Sequence, residues 1–264
     1  MVDEIARQKE VQTAHTTFDI LEILKNTDGA NLSTVASQLD IAVSTAHRHL
    51  STLVARNYVV KEKGEYYTSL KFLEFGTYAS NRKPGYELAT ELVDQLAEET
   101  GEHSQLFVEE HGMGVYLYGK AGEHAVQSSP QLGKPLPLHA TAAGKAILAH
   151  LSDSRIHNII DQHGLSSLTE NTITDEERLW EEIRTVRKRN YSVNREENHE
   201  NLCAVGVPIK KDEDRVFGAV SLSGPTRRIQ GDRLENELPT YLLGRANELE
   251  LNIQFSQSSP NGAP

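Results

Sequence analysis

The spacing of apolar residues changes once within the first seventy positions, and that change restricts the fold more than any other feature of the chain. From Thr13 to Lys25 the residues Phe18, Ile20, Leu21, Ile23 and Leu24 keep a helical period, which stops at the turn signal Asn26-Thr27-Asp28-Gly29. A second short helix fits Ser33 to Leu39, with Ser33 as its N-cap, and a third fits Val43 to Asn57, VSTAHRHLSTLVARN. Past Asn57 the stretch YVVKEKGEYYTS holds two β-prone runs joined at Lys63-Gly64, which predicts a hairpin. Three helices followed by a two-stranded wing is the order of a winged helix-turn-helix.

The third helix divides into two faces. At about 100° per residue, Val43, Ala46, His47, Leu50, Leu53 and Val54 share one side, so His47 is expected to pack rather than to read bases. Ser44, Thr45, Arg48, Ser51 and Thr52 share the other. A helix lying in the major groove needs short polar or cationic side chains on its outer face, because base edges there offer hydrogen bonds and water. Arg56, Lys61 and Lys63 would neutralise phosphates beside it. An ordinary surface helix, or a winged helix that docks protein, presents the same residue types, so a protein-interaction module stands as the alternative.

Charge is distributed unevenly. The 264-residue chain has a net charge of −11, yet residues 1–83 hold ten Lys and Arg against ten Asp and Glu, whereas the remainder holds 17 against 28. Within Ile41 to Lys63 the cations Arg48, Arg56, Lys61 and Lys63 face Glu62 alone, a local basic patch compatible with double-stranded DNA as partner. The acidity of the rest also suits a salty cytoplasm. The single cysteine, Cys203, cannot form an intrachain disulfide, no run of 18 apolar residues occurs, and MVDEIARQKE lacks the pattern of a signal peptide. A soluble, cytoplasmic chain with no membrane partner is expected.

Leu70 to Ala79 reads as a linker helix, and Asn81-Arg82-Lys83-Pro84-Gly85 breaks it. The expected domains are 1–83, winged helix with linker, and 84–255, with a disordered tail at 256–264. In the second domain Tyr86 to Glu99 is an amphipathic helix. HSQLFVEEHGMGVYLYGK predicts a hairpin turning at His111 to Gly114, Thr174 to Asn190 a charged helix, NLCAVGVPIK and RVFGAVSLSG two strands, and Gly231 to Phe255 a last helix. Helices with a largely antiparallel sheet define an α+β fold.

The stretch LHATAAGKAILAHL, Leu138 to Leu151, half-resembles a phosphate-cradling loop. The position four before its Gly-Lys pair is His139, however, and Ala146 follows the lysine, so neither the glycine turn nor the metal-binding hydroxyl is present. The segment reads as a helix start, with Lys145 turned to solvent or to a neighbouring carboxylate. VSLSGP lacks the G-x-S-x-G elbow, and His157 and His163, six apart, cannot stack as metal ligands. No enzyme activity and no cofactor are expected; a hydrolase is the weaker rival.

STAHRHLSTLVARNYVV, LHATAAGKAILA, YSVNREENHENLCAVGVPI and GAVSLSGPTRRI, in that order, resemble the IclR-type family of transcriptional regulators, over roughly Thr13 to Phe255. The resemblance implies a GAF-like α/β effector-binding domain, homodimers or homotetramers, and an operator read by paired DNA-binding heads. It also implies an effector pocket of Ala142, Ala143, Asn194, Cys203, Ser221 and Ser223. Asn194 stands where some members place an Asp, and offers a neutral amide that tolerates an anion better. Amides at a helix start suit a carboxylate, and hydroxyls at i and i+2 of a strand share a face. Plainer roles fit the same residues: alanines for close helix packing, a buried small cysteine, serines satisfying backbone groups. His199 reads as a solvent-facing loop residue. The implied function is a ligand-responsive regulator sensing a small carboxylate or sugar-acid metabolite, with the linker helix pairing dimers.

Overall fold

Three helices form where the helical period predicts them: α1 Gln12–Asn26, α2 Leu32–Gln38 and α3 Val43–Ala55. The computed structural model describes residues 10–83, 85–125, 132–212 and 215–258, and the chain divides into two units, 1–80 and 81–264. Helix α2 starts one residue before Ser33, because Asn31, in extended conformation, is the cap: its Oδ1 accepts from the Thr34 amide at 2.9 Å. Ser33 donates its hydroxyl to that same oxygen.

The wing is β2 Val59–Glu62 and β3 Glu65–Thr68, closed by Lys63 and Gly64 at φ 49° and 95°. Two successive positive φ values make the tight turn whose twist matches paired strands. A two-residue strand β1, Ala30–Asn31, adds to β3; so short a segment has no period to read in sequence. Ile20, Leu24, Val35, Ala46, Leu50 and Val59 meet in the core of this unit. Helix α4, Lys71–Asn81, buries no residue, and its Phe72 and Phe75 rings lie 5.5 and 5.9 Å from that of Tyr58.

The second unit is a six-stranded antiparallel sheet between two helical layers. Its elements are α5 Tyr86–Thr100, β4 His103–Glu110, β5 Met113–Ala121, β6 Pro135–Leu136, α6 Ala142–Leu148, α7 Asp153–His163, α8 Glu176–Arg189, β7 Ser192–Arg195, β8 Leu202–Asp212, β9 Arg215–Pro225 and α9 Leu238–Ser258. The strands run β6-β5-β4-β9-β8-β7 across the sheet. Side chains alternate along each strand. Leu106, Val205, Val207, Val220 and Leu222 therefore pack under α5 and α9, while Phe107 and Ala219 meet α6, α7 and α8 on the other face.

The β4–β5 hairpin turns through His111 and Gly112, both at positive φ, as the glycine predicts. Helix α7 is an element the apolar pattern does not announce, since Ile156 and Ile159 are its only buried residues. The last helix continues to Ser258; the rest of the expected tail, 259–264, lies outside the described residues. Among the described residues no helix is long and apolar enough to cross a membrane.

Candidate functional site

On α3 the side chains of Ser44, Arg48, Ser51, Thr52 and Arg56, the last just beyond its end, are exposed, and Thr45 is half-buried; Lys61 and Lys63 stand exposed on the wing. Among the described residues none of the four cations is ion-paired, which leaves them open to phosphate. Lys61 Nζ lies 4.9 Å from the centre of the Tyr66 ring, and Thr52 spends its hydroxyl proton on the Arg48 carbonyl at 2.8 Å. The N-cap of α3 is Ala42 without a side-chain bond, and of the first amides those of Thr45 and Ala46 already donate to the Ala42 carbonyl at 2.9 and 3.1 Å.

His47 differs from the expectation. It is exposed, and so is Val43 at 54 %, because the buried face of α3 is only as wide as Ala46, Leu50 and Leu53. The histidine that turns inward is His49, whose Nδ1 lies 2.9 Å from Thr17 Oγ1.

A cavity of about 550 Å³ opens on the second unit, on the face of the sheet that carries α6. Register builds its floor. His103, Ser223, Ala204 and Asn194 pair in one row across β4, β9, β8 and β7; Gln105, Ser221, Gly206 and Ser192 pair in the next. Ala142 and Ala143 at the start of α6 line the cavity from above. They approach because Gly206 has no side chain: a Cβ there would sit 2.5 Å from the Ala142 carbonyl carbon. Ser192 donates its hydroxyl to the Ala142 carbonyl as a second tie.

Of the pocket residues implied by resemblance, Ala142, Ala143, Asn194, Ser221 and Ser223 come together around this cavity, and Cys203 does not. Strand alternation puts Cys203 on the opposite face of β8, beside Val205 in the core under α5 and α9. Asn194 is largely committed already: its Nδ2 donates to the Ala140 carbonyl at 2.6 Å and its Oδ1 accepts from the Glu197 amide at 3.0 Å. Ser221 and Ser223 approach Gln105 Oε1 at 3.4 and 3.5 Å, long contacts that leave both hydroxyls capacity for another partner. His199 is exposed, as expected of a loop residue, yet it lines the cavity together with Lys134.

Sequence reasoning missed His103, Gln105 and Tyr116 in the cavity wall. The available signal was His-Ser-Gln opening a strand that is buried on both faces. Burial holds the His103 imidazole below the ordinary histidine range, hence neutral near pH 7. It also pushes the Tyr116 phenol up to about 12, against a hydrogen bond from Gln105 that acts the other way.

Lys145 turns to carboxylates, and it does so inside the protein. Its side chain is 1 % exposed, and Nζ donates to Glu197 at 2.7 and 2.8 Å and to the Val193 carbonyl at 2.7 Å, with Glu182 of α8 at 3.3 Å. It therefore pins α6 to β7 and α8 beneath the cavity and is spent as a ligand group. Among the described residues no cluster of His, Cys, Asp and Glu could hold a metal ion.

Comparison with known proteins gives the two units a common context. Residues 16–63 match the family model of the IclR helix-turn-helix domain, and residues 82–250 match that of the bacterial transcriptional regulator IclR C-terminal domain. A probable HTH-type transcriptional regulator, ArcR of Halobacterium salinarum, is 29 % identical over 93 % of this chain and 95 % of its own. The crystal structure of Thermotoga maritima IclR superposes with a TM-score of 0.76 at 29 % identity, covering 92 % of this chain and 99 % of that one. The inducer-binding domain of PobR from Acinetobacter, solved as a double mutant with 3-hydroxybenzoic acid, is 28 % identical with a TM-score of 0.57, covering 64 % of this chain and 97 % of its own.

The fold and sites thus define a transcriptional regulator that joins a helix-turn-helix domain to a ligand-binding domain; its relatives are regulators rather than enzymes. The chain belongs to the IclR family.

Proposed function

We propose that the protein is a cytoplasmic, homo-oligomeric regulator that binds operator DNA through residues 1–83 and senses a small carboxylate, aromatic or sugar-derived, through residues 84–255. The observation that carries the ligand class is electrostatic. Residues 84–264 hold 28 acidic against 17 basic side chains, yet among the described residues no carboxylate side chain lines the cavity, where Lys134 and neutral donors are found. A cavity kept free of acids in so acidic a domain favours an anion, because any lining carboxylate would repel it at short range. Ala142, Ala143, Asn194, Ser221 and Ser223 would contact the effector, and Cys203 would support the wall from behind. The hydroxy acid bound in the PobR structure supports the same class.

On DNA, Ser44, Thr45, Arg48, Ser51 and Thr52 would face the groove, and Arg56, Lys61 and Lys63 the phosphates. The exposed apolar residues Leu73, Phe75 and Tyr78 of α4 support its use in pairing two copies. The effector acts by binding one arrangement of the paired heads better than another, since only differential affinity shifts such an equilibrium.

The test is fluorescence anisotropy of the purified protein on DNA from upstream of its own gene, over a salt series. Sequence-preferring binding that weakens steeply with salt is expected. Binding with neither property would remove the regulator reading in favour of a protein-docking wing. Ser221→Ala with Ser223→Ala should abolish the rise in melting temperature given by a binding acid while leaving DNA affinity unchanged.

A further inference from the structure

We propose that the edge of α3 carrying Val43 and His47 reads bases directly: Val43 packs against a thymine 5-methyl group, and His47 donates a hydrogen bond to N7 of a purine on the same or the neighbouring base pair. The inference rests on the DNA-binding reading of the first unit and adds to it two residues and the base chemistry they select.

Val43 is the first residue of α3 and His47 stands one turn on; both are exposed. Their outward direction is fixed by His49. Thr17 Oγ1 gives its proton to the Thr13 carbonyl at 2.8 Å, so His49 Nδ1, 2.9 Å from that oxygen, is the donor between them and ties α3 to α1. Two residues earlier at about 100° per residue, His47 is turned to nearly the opposite side. His15 has Glu10 at 2.7 Å, so of His15, His47 and His49 only His47 has neither a hydrogen bond nor an ion pair among the described residues. On the other flank of the helix Thr45 is half-buried, and the Thr52 hydroxyl proton is spent on the Arg48 carbonyl. The open sector of α3 therefore runs round from Val43 through His47, Ser51 and Ser44 to Arg48.

The chemistry of the two side chains decides what they read. A recognition helix brings its N-terminal residues to base edges. Val43 is 54 % exposed and has no donor for a phosphate, and the apolar group in the major-groove pattern is the thymine methyl. An imidazole keeps at least one ring N–H in either protonation state, so His47 always has a donor to offer. Both purines present N7 as an acceptor in the same groove. Side chains one helical turn apart stand about 5–6 Å from each other, less than two base-pair steps of about 3.4 Å. The two contacts therefore fall on the same or neighbouring base pairs.

Fluorescence anisotropy of the full-length protein on the tightest duplex selected from a randomised pool tests this, with each thymine replaced in turn by uracil and each purine by its 7-deaza analogue. At one thymine in each half-site, uracil should weaken wild-type binding about threefold to fivefold, the effect of one buried methyl group. A 7-deazapurine at the same or the adjacent base pair should weaken it about threefold to tenfold, the range of one hydrogen bond. Val43→Ala should erase the response to uracil and keep that to the deazapurine; His47→Ala should do the reverse. Both side chains are exposed, so each variant should melt as the wild type does, and the DNA substitutions test the wild type whatever the variants' stability. A wild type that prefers a sequence yet ignores every uracil and every deazapurine overturns the inference and leaves the regulator reading standing. So does a response that survives in the variant meant to erase it. If no preferred duplex emerges from the pool, the regulator reading and this inference fall together.

Discussion

At the scale of single residues, what a side chain does here depends on its partners more than on its type. In sequence Lys145 reads as a lysine near a helix start, turned to solvent or to a neighbouring carboxylate. In the fold it is a buried cation shared by Glu197, Glu182 and the Val193 carbonyl. Removing it leaves Glu197 buried and unpaired, so Lys145→Met should lower unfolding stability by about 3–5 kcal/mol, measured by urea denaturation. Adding Glu197→Gln should return a substantial part of that loss; a double variant as unstable as the single one would show that packing, not charge, is what Lys145 supplies. Cys203 teaches a different lesson. Its parity with Val205, Val207 and Ile209 already placed it on the wholly apolar face of β8, whereas Ala204 and Gly206 share the cavity face.

At the scale of elements, glycine and register set the cavity. Helix α6 rests against β8 because Gly206 offers no Cβ, and the atoms a methyl group would meet are backbone. Gly206→Ala should therefore displace the start of α6, cost about 1–3 kcal/mol as an overpacked core, and blunt any ligand-induced rise in melting temperature. A variant with wild-type stability and ligand response would show that the close approach of α6 does not depend on this glycine. On the DNA-binding side, α3 and the wing would divide their labour. Arg48→Ala should weaken operator binding by about 1–3 kcal/mol and relax sequence preference if the guanidinium reads a base. Lys61→Ala with Lys63→Ala should instead weaken all DNA alike and reduce the salt slope by about one for each phosphate no longer neutralised. The helices α1, α3, α5 and α8 and both hairpins could be read from period and turn chemistry. Helix α7, with two buried isoleucines, and the short strands β1, β6 and β7 could not, because their identity comes from what they pair with.

At the scale of the whole molecule, His103, His139 and His150 are each held below their ordinary range, chiefly by burial, so the unfolded chain takes up protons before the folded one does. Stability is unaffected by these groups above the unfolded pKa of about 6.5 and is lost as pH falls through that value toward their folded values. The melting temperature should therefore be flat from pH 8 to 7 and decline between about pH 6.5 and 5; a triple replacement of these histidines should flatten that decline, and an unchanged slope would assign it to other groups. The amino-acid sequence by itself determined the two-part organisation, the winged helix, the α+β class of the second part and the uneven charge, because these follow from periodicity, turn residues and composition along short stretches. Three family-bearing segments also marked most of the cavity. The tertiary structure alone decided that His103 and Gln105 join Ser221 and Ser223 and that Lys145 is buried. Those facts depend on which strands become neighbours and in what register, and such pairings between residues more than a hundred positions apart leave no local trace in the chain.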